Sequence, residues 1–134
     1  MELKVATKSD KKSIKRFYKQ QQYPGSFMGN DTCYIAMHDG QLIGCAIVSE
    51  LEGVRFLHAL VIEVTYRNQG IASRLLKMLS KHPPIICFAD ISLSHLYLSN
   101  NFKQISMESL PLPLAKRYSS YKQKKSDLAI YCHG

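Results

Sequence analysis

The spacing of apolar residues changes several times along this chain, and each change marks an element. Glu2 to Ala6 alternates as a short strand. Thr7 followed by Asp10 has the form of a capping box, so a helix should open there. Ile14, Phe17, Tyr18 and Gln21 then recur at the spacing of a core-facing helical stripe, which Pro24 and Gly25 should end. The next runs, TCYIAMHDGQLIGCAIVSE and GVRFLHALVIEVTY, are rich in β-formers. Asp39-Gly40 signals a hairpin within the first, and Glu52-Gly53 a turn into the second. Three strands in an antiparallel meander are predicted.

The last of these strands runs into YRNQGIASRLL, where an apolar stretch stops at Arg67, Asn68, Gln69 and Gly70 and restarts at once with helical spacing. Ile71, Ala72, Leu75, Leu76 and Leu79 predict a helix that ends before Pro83 and Pro84. IICFAD is apolar enough to be a central strand. Ser92 is expected to cap a short helix carrying Leu93, Leu96 and Tyr97. FKQISME and DLAIYCH read as the final strands. The Pro- and Lys-rich stretch from Leu110 to Ser126 reads as a mobile connection. No internal repeat is visible.

Composition narrows this picture. With 134 residues, 46% of them hydrophobic and 21% charged, the chain suits one domain, residues 1–134, around one core. The start has no apolar stretch behind basic residues, and no run approaches the roughly 20 apolar residues of a membrane span. A soluble, cytoplasmic protein with no membrane partner is expected. Cys33, Cys45, Cys87 and Cys132 are scattered without metal-ligand spacing, so reduced thiols and no metal site are expected. The Asn30-Asp31-Thr32 triplet matches a glycosylation sequon, which has no meaning in that compartment.

The formal charge of +8 comes mainly from clusters at Lys11 to Lys19 and Lys116 to Lys125. Charge runs usually decorate solvated faces. No nucleic-acid-reading pattern accompanies them, so nucleic acid is not an expected partner. Phosphates on a small ligand would account for part of the charge.

The interrupted stretch has chemistry of its own. A strand that turns directly into a helix leaves backbone N–H groups unpaired at the helix N-terminus, and these, with the helix dipole, attract an anion. Gly70 would let a phosphate come close to the backbone, and the small Ala72 would keep that approach open. The common Gly-x-x-x-x-Gly-Lys-Ser/Thr and Gly-x-Gly-x-x-Gly loops are both absent.

Arg67-Asn68-Gln69-Gly70-Ile71-Ala72 resembles the Arg/Gln-x-x-Gly-x-Gly/Ala signature of the GNAT family of N-acetyltransferases. The context resembles the family too. The loop follows an apolar strand, FLHALVIEV, and LYLSNNF places Leu96, Tyr97 and Phe102 where the family has a Leu-Tyr pair ending near Gly-Phe. Element order agrees from Glu2 to His133. Asn101 stands in place of the usual glycine, Ala72 in place of the commoner glycine and Val64 where proline is frequent. Asparagine is the next-best residue for a left-handed helix end, so the first change is benign.

The resemblance implies an α/β (α+β) fold with a central mixed, mostly antiparallel sheet flanked by helices. It implies acetyl-coenzyme A (acetyl-CoA) as co-substrate and direct transfer of acetyl to a primary amine in a ternary complex. Arg67, Asn68, Gln69, Gly70, Ile71, Ala72 and Ser73 would grip its pyrophosphate, and Ser92 would add a contact. A kink in the preceding strand would free backbone N–H groups among Leu60, Ile62, Glu63 and Val64, with Ile62 nearest the thioester oxygen. Tyr97 matches the family's tyrosine beside the sulfur. Its phenol, with a pKa of about 10, stays protonated and can donate to the leaving thiolate. His58 matches a histidine that some members acting on arylalkylamines carry, and is the candidate base. By period-two alternation it should share a face with Phe56, Leu60 and Ile62. Glu63, Glu50 and Glu52 are weaker candidates.

The acceptor stays open among a small amine, an amino acid, an antibiotic and a protein N-terminus. The basic clusters disfavour polyamines and Lys-rich tails. A monomer or homodimer is expected. The alternative is a catalytically silent, coenzyme A-sensing regulator of the same fold that binds a partner protein; Tyr97 in its motif position favours the enzyme.

Overall fold

Strand alternation and two left-handed turns build the frame. The computed structural model describes residues 1–23, 31–51 and 53–134. Its strands are β1 (Glu2–Val5), β2 (Asp31–His38), β3 (Gln41–Leu51), β4 (Val54–Ile62), β5 (Ile85–Asp90), β6 (Lys103–Ile105) and β7 (Leu128–His133). They form one seven-stranded sheet in the order β1-β2-β3-β4-β5-β7-β6. Among the described residues, only β4 and β5 pair in parallel. The expected meander is present: Asp39 and Gly40 turn with φ of 49° and 76°, the two positive values a tight hairpin needs. Gly53 turns β3 into β4 with φ of 74°. The predicted roles of Glu52, Pro24, Gly25 and the Asn30 sequon lie outside the described residues.

Helices cover both faces. The Thr7 amide donates to the Asp10 carboxylate at 2.8 Å, closing the expected capping box over a short 3-10 turn that leads into α1 (Lys11–Gln20). Ile14, Phe17 and Tyr18 are buried, so the stripe packs against Ile35, Cys45 and Ile47 of the sheet. On the opposite face α2 (Ile71–Leu79) buries Ile71, Leu75, Leu76 and Leu79, and α3 (Ser94–Leu98) buries Tyr97. Each such side chain contributes about 1.5–3 kcal/mol. The Arg55 guanidinium donates to the Leu79 and His82 carbonyls, both at 2.8 Å, and so caps the C-terminal end of α2 from β4.

Two expectations are corrected. The stretch from Leu110 to Ser126 is mostly a helix, α4 (Leu112–Lys124), whose Leu114 and Tyr118 are buried one turn apart against Phe56, Ile86 and Leu128. Pro113 sits in its first turn, where a missing N–H costs nothing. Ser92 does not cap the short helix. The Asp90 carboxylate accepts from the Ser92 amide at 2.9 Å, opening a 3-10 turn ahead of α3.

Candidate active site

One left-handed residue shapes the centre of the molecule. Ala59 has φ of 58°, and in the β3–β4 register Cys45 faces Val61 while Ile47 faces His58, so Ala46 stands against both Ala59 and Leu60. This is a β-bulge, and it lies one residue before the predicted kink region of Leu60 to Val64. The extra residue also reverses the alternation beyond it. His58 shares the α1 and α4 face with Phe56, while Leu60 and Ile62 belong to the α2 face; the expectation that all four share a face is corrected. From α1, the Tyr18 hydroxyl donates to the Ala59 carbonyl at 2.7 Å and fixes the bulge.

The bulge also ends the pairing of β4 with β5. The parallel ladder covers only Arg55 to Leu57 against Ile85 to Cys87, although β5 continues to Asp90 along β7. A gap opens beyond. The Glu63 amide donates backwards to Ile43 at 2.8 Å, so by strand alternation Glu63 and Val61 turn their backbone groups to β3. Leu60 and Ile62 therefore turn theirs to the gap. Of the predicted backbone contacts these two face it, while the Glu63 amide is already taken. The Glu63 carboxylate accepts from the Thr65 amide at 3.0 Å and from the Thr65 hydroxyl, which caps the 3-10 turn Val64–Tyr66 and occupies a group weighed as a base.

The loop after that turn carries two left-handed residues. Asn68 and Gly70 both have positive φ, 62° and 79°, in the region glycine and asparagine favour. After the Arg67 amide, which donates to Val64, the next backbone amide with a protein acceptor among the described residues is Arg74's, to Gly70 at 3.1 Å. The amides of Asn68, Gln69, Gly70, Ile71, Ala72 and Ser73 are left open at the mouth of α2, and a Cβ on Gly70 would meet nothing within 4 Å. Arg67 Nε donates to the Ile62 carbonyl at 3.0 Å, which ties the loop to the edge of the gap. Asn100 Nδ2 donates to Ser73 Oγ at 3.2 Å and joins α2 to the end of α3, where Asn101 has the expected left-handed φ of 67°. Ser92 is exposed.

A cavity of about 630 Å³ fills the gap and reaches both Tyr97 and His58. Tyr97 is 2% exposed and stacks on Tyr131 with ring centres 5.0 Å apart. Its hydroxyl accepts from the Cys87 thiol at 3.3 Å. Burial, followed by the neighbouring Cys87, pushes the phenol well above its ordinary pKa, and burial pushes the Cys87 thiol up to about 12. Both remain protonated at neutral pH.

His58 belongs to a chain of polar groups. Ser49, 1% exposed, donates its hydroxyl to Asp31 at 2.5 Å and lies 2.8 Å from His58 Nε2. A serine has one proton to give, and the carboxylate takes it, so Nε2 carries the hydrogen and donates to Ser49. Nδ1 is then the proton acceptor of the ring, with no partner among the described residues. Burial, the largest influence, holds the imidazole below its ordinary 6.5; Asp31 opposes this and Arg117 reinforces it. Asp31, Ser49 and Arg117 escaped prediction in the sequence. Ser49 offered one signal, a hydroxyl directly after the apolar run CAIV.

These features agree with what the chain resembles. The model of the acetyltransferase (GNAT) family matches residues 1–103, and the chain belongs to that family. Among solved structures, N-acetylglutamate synthase from Neisseria gonorrhoeae, complexed with coenzyme A and N-acetyl-glutamate, superposes with a TM-score of 0.69 at 14% identity, over 99% of this chain and 35% of that one. This chain thus spans about a third of the synthase. A GNAT acetyltransferase from Staphylococcus aureus Mu50 superposes at 0.69 and 17% identity over 98% and 97% of the two chains. Ribosomal-protein-alanine N-acetyltransferase from Brucella melitensis does so at 0.62 and 16% over 79% and 86%. At such identities the likeness is one of fold. No curated protein matches the chain significantly in sequence.

Proposed function

We propose that the protein is an acetyl-CoA-dependent N-acetyltransferase that moves acetyl directly to a primary amine in a ternary complex. The observation that carries this reading is the parting of β4 from β5 after Leu57, which leaves Leu60 on the wall of a cavity that Tyr97 and His58 also line, with the Ile62 N–H turned to the same strand edge. The co-substrate fits the residues present: a loop of open amides for its pyrophosphate, a strand edge for its amide-bearing arm and a protonated phenol at the far end. The synthase from Neisseria gonorrhoeae was solved with coenzyme A bound, which supports the same ligand here.

Acetyl-CoA supplies a thioester whose carbonyl carbon the amine attacks. The chain's own groups do the rest. The amides of Asn68 to Ser73 and the positive end of α2 hold the pyrophosphate. The Leu60 or Ile62 N–H donates to the oxygen on which charge grows, a preorganised contact that can supply about 3 kcal/mol. Nδ1 of His58 takes the amine proton, and the resulting imidazolium is steadied through Nε2–H, Ser49 and Asp31. Tyr97 gives its proton to the departing sulfur. Burial keeps the Tyr97 phenol protonated, so the proton is present to give.

The test is thiol release from acetyl-CoA against a broad amine panel, with calorimetry of coenzyme A binding alongside. Binding with amine-dependent thiol release is expected. A folded protein that binds no coenzyme A at millimolar concentration would overturn the reading.

A further inference from the structure

The acceptor end of the cavity is roofed by α4, the helix that replaces the expected mobile connection, and its charges are not balanced. Lys125, just past the helix, lies 3.7 Å from Asp90 and is neutralised by it. Arg117, half-buried and lining the same cavity, donates to the Tyr121 hydroxyl at 3.0 Å and has no carboxylate within 4.0 Å among the described residues. A hydroxyl offers no charge to a guanidinium. Its field reaches His58, so cation and candidate base face the same small volume. The wall between them is aromatic: Phe88 meets Phe56 with ring centres 4.9 Å apart and Tyr121 at 6.2 Å.

We infer that the acceptor is an α-amino acid with an apolar or aromatic side chain, its carboxylate held by Arg117, its side chain on the Phe88 and Tyr121 rings and its amine presented to His58. This rests on the transferase reading above and names the substrate class of that site. A cationic amine without an anionic group would enter against the Arg117 charge, whereas a carboxylate matches the planar guanidinium fork. The amine chemistry points the same way. An α-amine titrates below a lysine-type amine, so it asks somewhat less of a weakly basic imidazole. Free polyamines and lysine side chains fail on both counts.

Matched acceptors separate these effects. L-Phenylalanine, L-phenylalaninamide and phenethylamine share one ring; the first alone has the carboxylate, and the amide keeps an α-amine without it. L-Leucine and L-leucinamide repeat the comparison with an aliphatic side chain. The expected result is kcat/KM about tenfold to a hundredfold higher for the acids than for their amides, the scale of one charge-assisted contact. Arg117→Ala should remove most of that ratio, and Arg117→Lys should restore part of it. The amide's amine is the more acidic of the two, a difference that parent and variant share, so the change in the ratio between parent and Arg117→Ala at one pH isolates the carboxylate contact.

Equal rates for acids and amides, or a ratio untouched by Arg117→Ala in a folded variant, would overturn the inference and leave the transferase reading standing. So would coenzyme A binding with no turnover of either acid. Absence of coenzyme A binding would instead remove the reading on which the inference rests.

Discussion

The Tyr18 hydroxyl donates to the Ala59 carbonyl at 2.7 Å, and through that bond a helix forty-one residues earlier in the chain holds the bulge that opens the cavity. Both groups are buried, so neither has water to turn to. Burial raises the Tyr18 pKa far above its ordinary value, and the phenol is a fixed donor at every working pH. Tyr18→Phe should leave a buried carbonyl unpaired at a cost of about 1–3 kcal/mol. Thermal denaturation should show this loss. The proposed function adds a second effect, because a relaxed bulge misplaces Leu60 and Ile62, and kcat should fall more than coenzyme A affinity.

The loop makes its own prediction. Gly70 has φ of 79° with open space around it, so a side chain is opposed by backbone conformation and by whatever the open amides bind, rather than by packing. Gly70→Ala should cost about 1–2 kcal/mol of stability. Gly70→Asp should in addition abolish coenzyme A binding, since it brings a like charge to the pyrophosphate position. Calorimetry on the folded variant measures this, and unchanged affinity would remove the loop from the binding site.

Tyr97→Phe retains the ring and its stacking on Tyr131 but removes the hydroxyl that Cys87 meets. Coenzyme A binding should be nearly unchanged. Turnover should fall about 10²-fold to 10⁴-fold if the phenol is the acid. Equal rates would return Tyr97 to a purely structural role between Tyr131 and Phe102, ring contacts it makes in any case.

The order of strands and helices was legible because each element carries its own period, and the loop because the apolar run breaks at Arg67 to Gly70 and resumes at once with helical spacing. The bulge was not. Ala59 takes a left-handed conformation without glycine or asparagine to announce it, and one inserted residue leaves the apolar run FLHALVI looking continuous. Its effect on side-chain direction was therefore invisible, which is why His58 seemed to share a face with Leu60 and Ile62. The helix α4 did leave a trace: Leu114, Tyr118 and Tyr121 follow helical spacing, but Pro111, Pro113 and the lysines masked it. Arg117 consequently read as one more surface charge. Asp31 and Ser49 reach His58 only through pairing across β2, β3 and β4, a relationship no local pattern contains.

The network behind His58 yields the last prediction, and its sign follows from the environment. Burial lowers the pKa of the imidazole below 6.5 more than Asp31 raises it. As pH falls below 6.5, the unfolded chain therefore takes up a proton that the folded chain resists, and stability declines in that window; above it, the contribution is constant. Activity should follow the same ring. With amine below saturation, kcat/KM should rise with pH through an inflection below 6.5, because His58 accepts a proton only when neutral. Asp31→Asn removes the influence that favours the cation, so the inflection should move to lower pH and the plateau should drop as the imidazolium loses its support. His58→Gln keeps a donor toward Ser49 but cannot accept a proton in this range, so the inflection should vanish, with rates converging on the parent at high pH, where free amine becomes abundant. A structural histidine would behave otherwise, lowering the melting temperature while the pH profile keeps its shape. An inflection that survives His58→Gln in a folded protein would assign the base to a different group.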